Sequence, residues 1–390
     1  MIIAFWISLF LVFYTFFGYG ILLFLLVRVR RTLKGAREIP ANEGKWPTLT
    51  VLVAAYNEED FIEQKIANTL SLQYPADRIK YIFVTDGSTD RTPEIVAQHG
   101  LQIKLLHQPA RNGKIAAMHR AMQEVDTEIA VFTDANTFLN KEALMNIARH
   151  YADPTVGAVS GEKRVYMDEV ADATAGEGFY WKYESKLKTW DSELYSVVGA
   201  AGELFSVRTA LYEGVPPQTI LDDFMISMLI SKKVFRIVYE PMAYATESGS
   251  ESVQEELKRK VRIAAGGIQS IIWLRSLLNP FGHFTLSFQY ISHRVLRWTI
   301  TPFLMILSLI LNALIVWKGG DVVYTFLLAC QILFYGLALL GWLLEKQHVR
   351  IKALFIPYYF CMMNYAVIAG MKRYFSGKQG AAWEKAKRRM

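Results

Sequence analysis

Charge is missing from long parts of this chain. Residues 1–27, 298–317, 322–344 and 353–371 contain no Asp, Glu, Lys or Arg. Each is near or above the ~20 residues that span a bilayer. A buried helix of a soluble protein is rarely so long and so apolar on every side, so these stretches read as membrane segments. Cysteine is scarce as well: Cys330 and Cys361 both lie inside apolar segments, which leaves no disulfide framework. No GxxxxGK[ST] occurs, which argues against a P-loop nucleotide site, and no regular GxGxxG follows the first predicted strand, so a dinucleotide fold is unsupported. No histidine has metal-ligand spacing around it. No basic residue precedes the first apolar stretch and no small-residue cleavage site follows it, so 1–27 reads as a retained anchor rather than a cleaved signal. Arg28, Arg30, Arg31, Lys34 and Arg37 come straight after it, which by the charge rule puts that end in the cytoplasm.

What is present fits a membrane protein. Of the 390 residues 52% are hydrophobic, and the mean hydropathy is +0.18. The net charge is +7, with much of the surplus in 28–37 and in the tail 372–390. Basic residues beside membrane segments suit anionic lipid better than nucleic acid. The expected layout is an anchor (1–27), a cytosolic domain (28–265), amphipathic interfacial helices (266–297), C-terminal membrane helices (298–371) and a basic tail. Four full crossings would put that tail outside, against the charge rule. The segment 353–371 holds Pro357 and Asn364 and is the weakest, so three firm spans and one doubtful one are expected.

Between Pro47 and about Gly161 strands alternate with helices. "LTVLVAA" (49–55), "IKYIFVTD" (79–86), "QIKLLHQ" (102–108) and "EIAVFTD" (128–134) read as strands. Helical patterns follow each, over 59–72, 91–100, 113–125 and from about Lys141. Such alternation predicts an α/β fold with a mostly parallel sheet. Ligands on such sheets bind at the carboxyl ends of the strands. These ends are chemically dense: Tyr56, Asn57, Glu58 and Glu59 after the first, Asp86 and Asp90 after the second, Asn112, Gly113 and Lys114 after the third. At the fourth end Asp134 and Asn136 are two apart, so in extended chain both point the same way. Two oxygen donors on one side can hold a hard divalent cation, although Asp and Asn also commonly start turns.

In order and spacing, "VLVAAYNEE", "VTDGSTD", "NGKIAAMHRA" and "FTDAN" resemble the family 2 membrane glycosyltransferases, which include the poly-N-acetylglucosamine, hyaluronan and cellulose synthases. The resemblance implies a glycosyltransferase A-type nucleotide-sugar-binding domain joined to transmembrane helices. It implies that Tyr56, Glu58 and Asp86 hold the base and ribose of the donor, with Lys114 near the base or phosphates. Asp134 and Asn136 match the family's DxD motif, which ligates Mg2+ or Mn2+ on the diphosphate. The segment 197–208 matches the acceptor side. "ILDDF" matches the carboxylate motif, with Asp223 as general base. "RKVRI" (259–263) aligns with QxxRW, where only Arg262 matches. Asn136 replaces an Asp, Arg259 a Gln and Ile263 a Trp. The Trp belongs to the acceptor floor, so its loss bears on processivity and not on transfer.

The chemistry suits these residue types. A departing diphosphate gains negative charge, which a cation and Arg262 can stabilise. Mg2+ takes one or two protein carboxylates plus phosphate oxygens, so one Asp and one Asn suffice. An acceptor hydroxyl needs a base with a raised pKa. Asp222 and Asp223 diverge by about 100° on a helix, so only one can face the sugar. The run 266–284 reads as an amphipathic helix lying on the membrane surface. The expected activity is inverting, metal-dependent transfer of a hexosyl or N-acetylhexosaminyl group, from a nucleotide-diphospho-sugar (a UDP-sugar by preference) to a growing polysaccharide. The catalytic part is expected in the cytoplasm of a multi-pass membrane protein. Expected partners are the donor, a glycan or lipid-linked acceptor, membrane lipid and an export or accessory subunit, with no nucleic acid. The rival readings are single addition onto a lipid-linked saccharide and a non-catalytic export scaffold.

Overall fold

The computed structural model describes residues 1–39, 44–166, 175–248, 252–347, 349 and 351–377. The end of the expected basic tail, 378–390, lies outside them. The chain opens with α1 (Ile2–Phe13) and α2 (Tyr19–Lys34), joined through one π-helical turn, Tyr14–Gly18. Strand–helix units follow: β1 (Leu49–Ala55), α3 (Glu59–Leu70), β2 (Ile79–Asp86), α4 (Thr92–Ala97), β3 (Lys104–Gln108), α5 (Lys114–Met122) and β4 (Ile129–Asp134). Next come β5 (Phe138–Leu139), α6 (Ala143–Ala148), β6 (Val156–Tyr166), α7 (Ala175–Leu194), β7 (Leu204–Arg208), α8 (Asp222–Lys232), β8 (Arg236–Ser248) and α9 (Val253–Trp273). The C-terminal part is helical: α10 (Pro280–Tyr290), α11 (Leu296–Trp298), α12 (Thr301–Trp317), α13 (Val322–Lys346) and α14 (Lys352–Phe375).

The eight strands form one sheet in the order β3-β2-β1-β4-β7-β6-β8-β5. The first four are parallel, as the apolar runs predict. β7 then enters antiparallel to both β4 and β6, β6 pairs parallel with β8, and β5 closes antiparallel on β8. The result is a mixed sheet with four of its seven pairings parallel. Strands of the parallel half are buried on both faces. Leu52, Val84 and Phe132 pack on one side with α5 and α8. Val51, Val53, Phe83 and Val131 pack on the other with α3 and α6. Each such side chain contributes about 1.5–3 kcal/mol on burial. Phe132 and Phe205 face each other in register across β4 and β7 and stack at 4.7 Å.

The antiparallel entry of β7 matters for function. It pairs Thr133 with Leu204, so the loop 199–203 arrives beside the end of β4. Loops after β1, β2, β3 and β4 therefore share one edge with the loop before β7.

By length and composition three helices can cross a membrane: Ile2–Lys34, Val322–Lys346 and Ala353–Phe375. The doubtful span is therefore α12 rather than 353–371. It has 17 residues and is bent by 61° from the helices 280–298. Thr299 leaves helical geometry (φ −125°, ψ −89°), and Pro302 cannot donate a backbone hydrogen bond to the turn behind it. In α14 the Asn364 amide donates to Phe360 O one turn back (2.9 Å), which satisfies part of the polarity that weakened the expectation for this segment. The surface helix expected over 266–284 is also corrected. Ala264 to Ser270 are buried, because small side chains let neighbours close in. A Cβ on Gly267 would meet Trp298 at 2.6 Å, and one on Gly370 of α14 would meet Ala264 at 2.6 Å. Only the later part of the run presents apolar side chains outward, with Phe281 97% and Phe284 76% exposed.

Candidate active site

Four segments build the site at the strand ends. After β1, Asn57 adopts φ +52°, a conformation that Asn tolerates better than most residues. Its carboxamide O accepts from Thr89 N (2.8 Å) and its N–H donates to Ser88 Oγ (3.2 Å). Glu58 N donates to Thr92 Oγ1 (2.9 Å) and Glu59 N to Asp90 Oδ2 (3.1 Å). "NEE" and "DGSTD" are thus stitched together. Glu58 is buried, and the Arg111 guanidinium lies 4.0 Å from the Tyr56 ring centre. Gly87 needs to be glycine: its φ is +71°, and a Cβ there would sit 2.4 Å from Arg111.

Asp86 has a job that its sequence position did not reveal. Its Oδ2 accepts from Asn112 N (2.7 Å) and Gly113 N (2.6 Å), and its Oδ1 from Arg120 (3.5 Å). The carboxylate therefore fixes the loop that launches α5. The first residue of that helix, Lys114, reaches the end of β4: its Nζ donates to Asp134 Oδ1 (2.8 Å) and lies 3.6 Å from Asp222 Oδ2. Burial alone would lower the Lys114 pKa, but Asp134 and Asp222 raise it. One cation thus sits between two carboxylates from distant parts of the chain.

Asp222 and Asp223 open α8 and diverge as expected. Asp222 faces Lys114. Asp223 faces the loop before β7: a Cβ on Gly202 would lie 3.0 Å from Asp223 Oδ2. Burial, and then the charge of Asp222, push the Asp223 carboxyl up to about 7, against the pull of Lys114. A base of that pKa is matched to work near neutral pH.

Sequence reasoning missed the support beneath Asp134. Lys65 of α3 is fully buried. Its Nζ donates to Thr137 O (2.6 Å) and Thr133 Oγ1 (3.0 Å), and Thr137 Oγ1 donates to Asp134 O (3.0 Å). This holds the turn that carries Asp134 and the half-buried Asn136. Burial pushes Lys65 down to about 7, which Asp134 partly opposes. No motif marks this lysine, since one Lys on an apolar helix face carries no pattern. On the far side of Asp223, Lys163 pairs with Glu203 and with Glu247, and Arg259 pairs with Glu256 (3.0 Å) and lies 3.7 Å from Glu247. Arg259 is thus engaged in a charge chain. Arg262 is half-buried on the same helix, about one turn on.

Asp134 and Asn136 suit a divalent cation as one carboxylate and one amide oxygen at a strand end, with other ligands left to a phosphate-bearing substrate. Among the described residues no group of three or more His, Cys, Asp or Glu forms a closed cage, which fits an ion shared with substrate.

Neutralisation at Lys114 gives a first test. Lys114→Met should cost about 2–4 kcal/mol at pH 8, because two partly buried carboxylates lose their cation. The loss should shrink at pH 5, where the neighbouring Asp223 carboxyl, raised to about 7 by burial and by Asp222, is protonated and the cluster carries one negative charge fewer. Thermal melts at the two pH values decide it; an equal loss at both would refute the pairing.

Fold and site together define a mixed α/β sheet with a carboxylate-rich carboxyl edge, joined to helices long and apolar enough to cross a membrane. Residues 50–215 match the family model "Glycosyl transferase family 2", and the chain carries a domain of that family with the glycosyltransferase A-type fold. It is 29% identical over 251 residues to the beta-monoglucosyldiacylglycerol synthase of Synechocystis sp., covering 61% of this chain and 52% of the relative. It is 25% identical over 234 residues to a poly-beta-1,6-N-acetyl-D-glucosamine synthase of Staphylococcus aureus, covering 57% and 55%. The chain spans about half the length of the curated relatives it matches. Among solved structures it is similar to the mannosyltransferase PcManGT of Pyrobaculum calidifontis in complex with GDP-Man and Mn2+. That match has a TM-score of 0.71 and 24% identity, and covers 96% of this chain and 100% of the other. At that identity it speaks to the fold.

Proposed function

We propose that this protein transfers a glycosyl group, with inversion, from a nucleotide-diphospho-sugar to an acceptor presented at the membrane surface. The observation that carries this reading is the convergence of Lys114, Asp134, Asp222 and Asp223 at one sheet edge. Asp223 takes the proton of the acceptor hydroxyl as its oxygen attacks the sugar carbon, and the diphosphate leaves from the opposite side. Lys114 and Arg262 supply fixed positive charge near the leaving group. Tyr56, Glu58 and Asp86 frame the nucleoside end. A Mg2+ or Mn2+ ion held by Asp134 and Asn136 would stabilise the charge on the departing diphosphate. The catalytic domain lies on the cytoplasmic side, with Arg28 to Arg37 at the membrane face.

Two features favour single addition onto a lipid or lipid-linked acceptor. Ile263 stands where the polymer synthases carry Trp. Phe281 and Phe284 are exposed on α10, suited to dip into the bilayer surface. The relatives named for transfer onto diacylglycerol support the same reading. Extension of a polysaccharide is the second reading, supported by the relatives named as polymer synthases. The deciding experiment follows nucleotide release and product size on detergent-purified protein. It uses Mn2+, a panel of UDP- and GDP-sugars, and diacylglycerol or a lipid-linked saccharide. One sugar added per acceptor is the expected result. Long product from a single donor would establish the polymerase reading, and no release with any donor would sink both.

A further inference from the structure

A cavity of about 570 Å3 lies at the opposite edge of the sheet. Its floor is the start of β6 and β8; its wall is the chain leaving the first membrane helix. Arg30, Arg31, Arg37, Arg149, Arg236 and His150 line it. They come from three separate parts of the sequence, so folding gathers them, beyond what a basic run flanking a membrane span requires.

Carboxylates answer only some of these charges. Glu193 binds Arg31 through two bonds of 2.6 Å. Glu240 takes Arg149 (2.5 Å) and His150 (2.7 Å), and Asp153 takes Arg236 (3.1 Å). Arg30 and Arg37 donate hydrogen bonds to carbonyls, Gly35 O at 3.3 Å and Leu194 O at 3.5 Å; Glu193 lies near enough to feel both, and Glu38 shares the lining. The two repel each other; burial, and then Arg30, lower the Arg37 pKa, which Asp153 opposes in part. The Nε atoms of Arg37 and Arg149 are buried without a hydrogen-bond partner among the described residues. A buried donor left unpaired costs about 1–3 kcal/mol, so the cavity holds positive charge and open donors together.

We propose that this cavity binds a phosphate-bearing group, with Arg30 and Arg37 as its charge partners and Arg149 Nε as a further donor. Guanidinium forks match phosphate oxygens in geometry and charge. The cavity's first lining residues, Arg30 and Arg31, follow closely on the charge-free stretch 1–27, and basic residues beside a membrane segment attract anionic headgroups. The phosphate can therefore come from an anionic phospholipid or from solution.

The test uses the full chain in nanodiscs, comparing wild type with the double variant Arg30→Gln/Arg37→Gln and with Arg149→Lys, which keeps a cation for Glu240 but loses the Nε donor. One arm measures retained lipid by native mass spectrometry in phosphatidylcholine discs doped with phosphatidylglycerol. The other measures the melting shift from inorganic phosphate, against chloride of equal ionic strength, in phosphatidylcholine discs. Each variant should bind about tenfold more weakly, the loss of one charge-assisted hydrogen bond or more. Loss in the lipid arm assigns a headgroup site; loss in the phosphate arm alone assigns a soluble phosphate. Phosphate binding at the strand-end site would be equal in all three proteins. Retention and shifts that are the same in all three, with equal melting in chloride, overturn the proposal.

Discussion

Asp223→Asn should lower transfer by about 10²–10⁴-fold, the usual worth of a positioned general base, and should leave the protein more stable at pH 8 than the wild type. The two effects have one cause. Burial and Asp222 hold the Asp223 carboxyl at about 7, above its unfolded value. A carboxyl raised on folding binds its proton more tightly in the native state, so it weakens stability as pH climbs from the unfolded pKa towards 7. The amide never ionises and escapes that penalty. The same titration predicts that wild-type kcat/KM rises through about pH 7 and levels off above it, because only the deprotonated carboxylate can accept the acceptor proton. Donor turnover and melting temperature, both measured from pH 6 to 8, check the two halves separately. Near-wild-type turnover by Asp223→Asn would remove Asp223 from the mechanism, whatever its stability.

Asp191→Ala should be the most destabilising single change outside the sheet core, at about 3–5 kcal/mol. Asp191 is fully buried at the end of α7. It accepts from Tyr19 of the first membrane helix, from Gln289 Nε2 (3.0 Å) and, with its second oxygen, from His293 Nδ1 (2.6 Å). His293 continues through Nε2 to Glu184 (3.1 Å), which also takes Arg294 (2.9 Å) and Arg297 (3.0 Å). Burial would raise the Glu184 carboxyl, but Arg294, His293 and Arg297 hold it well below the usual carboxylate range. The network joins the π-helical turn Tyr14–Gly18 to a second one, Ile291–Val295: Tyr14 and Ser292 are linked at 2.8 Å. It is the polar clamp between the anchor helix, α7 and the helices leading into α12. Removing the Asp191 carboxylate leaves a buried imidazole nitrogen and a phenol without their acceptor, while the Gln289 amide keeps only the backbone carbonyl of residue 191 (2.9 Å). The fitting control is Lys80→Ala, which deletes an exposed pair with Asp126 and should leave the melting temperature almost unmoved, because solvent screens such a pair. If the two variants melt alike in detergent, the clamp is not holding the membrane helix to the domain.

Much of this protein was settled by its sequence alone. Charge-free runs dictate burial in lipid, because an unpaired charge in hydrocarbon is prohibitively costly. Uninterrupted apolar segments of five to eight residues between helical patterns dictate a doubly covered parallel sheet. β1, β2 and β4 accordingly lie within a residue of where the pattern put them. That Tyr56, Glu58, Asp86, Lys114 and Asp134 share one sheet edge is readable because it is local: each lies at a strand end or between that end and the start of the next helix. Contacts between distant segments were not legible. Which of two adjacent aspartates faces the loop before β7, that Lys65 braces the Asp134 turn, and that Asp86 fixes the α5 loop all depend on how β7, α3 and α5 dock. The start of the run 266–284 looked like part of a surface helix because sequence shows the small residues but not the helix that packs on them. The clamp around Asp191 and the arginine cavity share this origin. Each gathers side chains more than a hundred residues apart, and only the antiparallel return of β7 and the packing of α7 on the first membrane helix bring them within hydrogen-bonding distance.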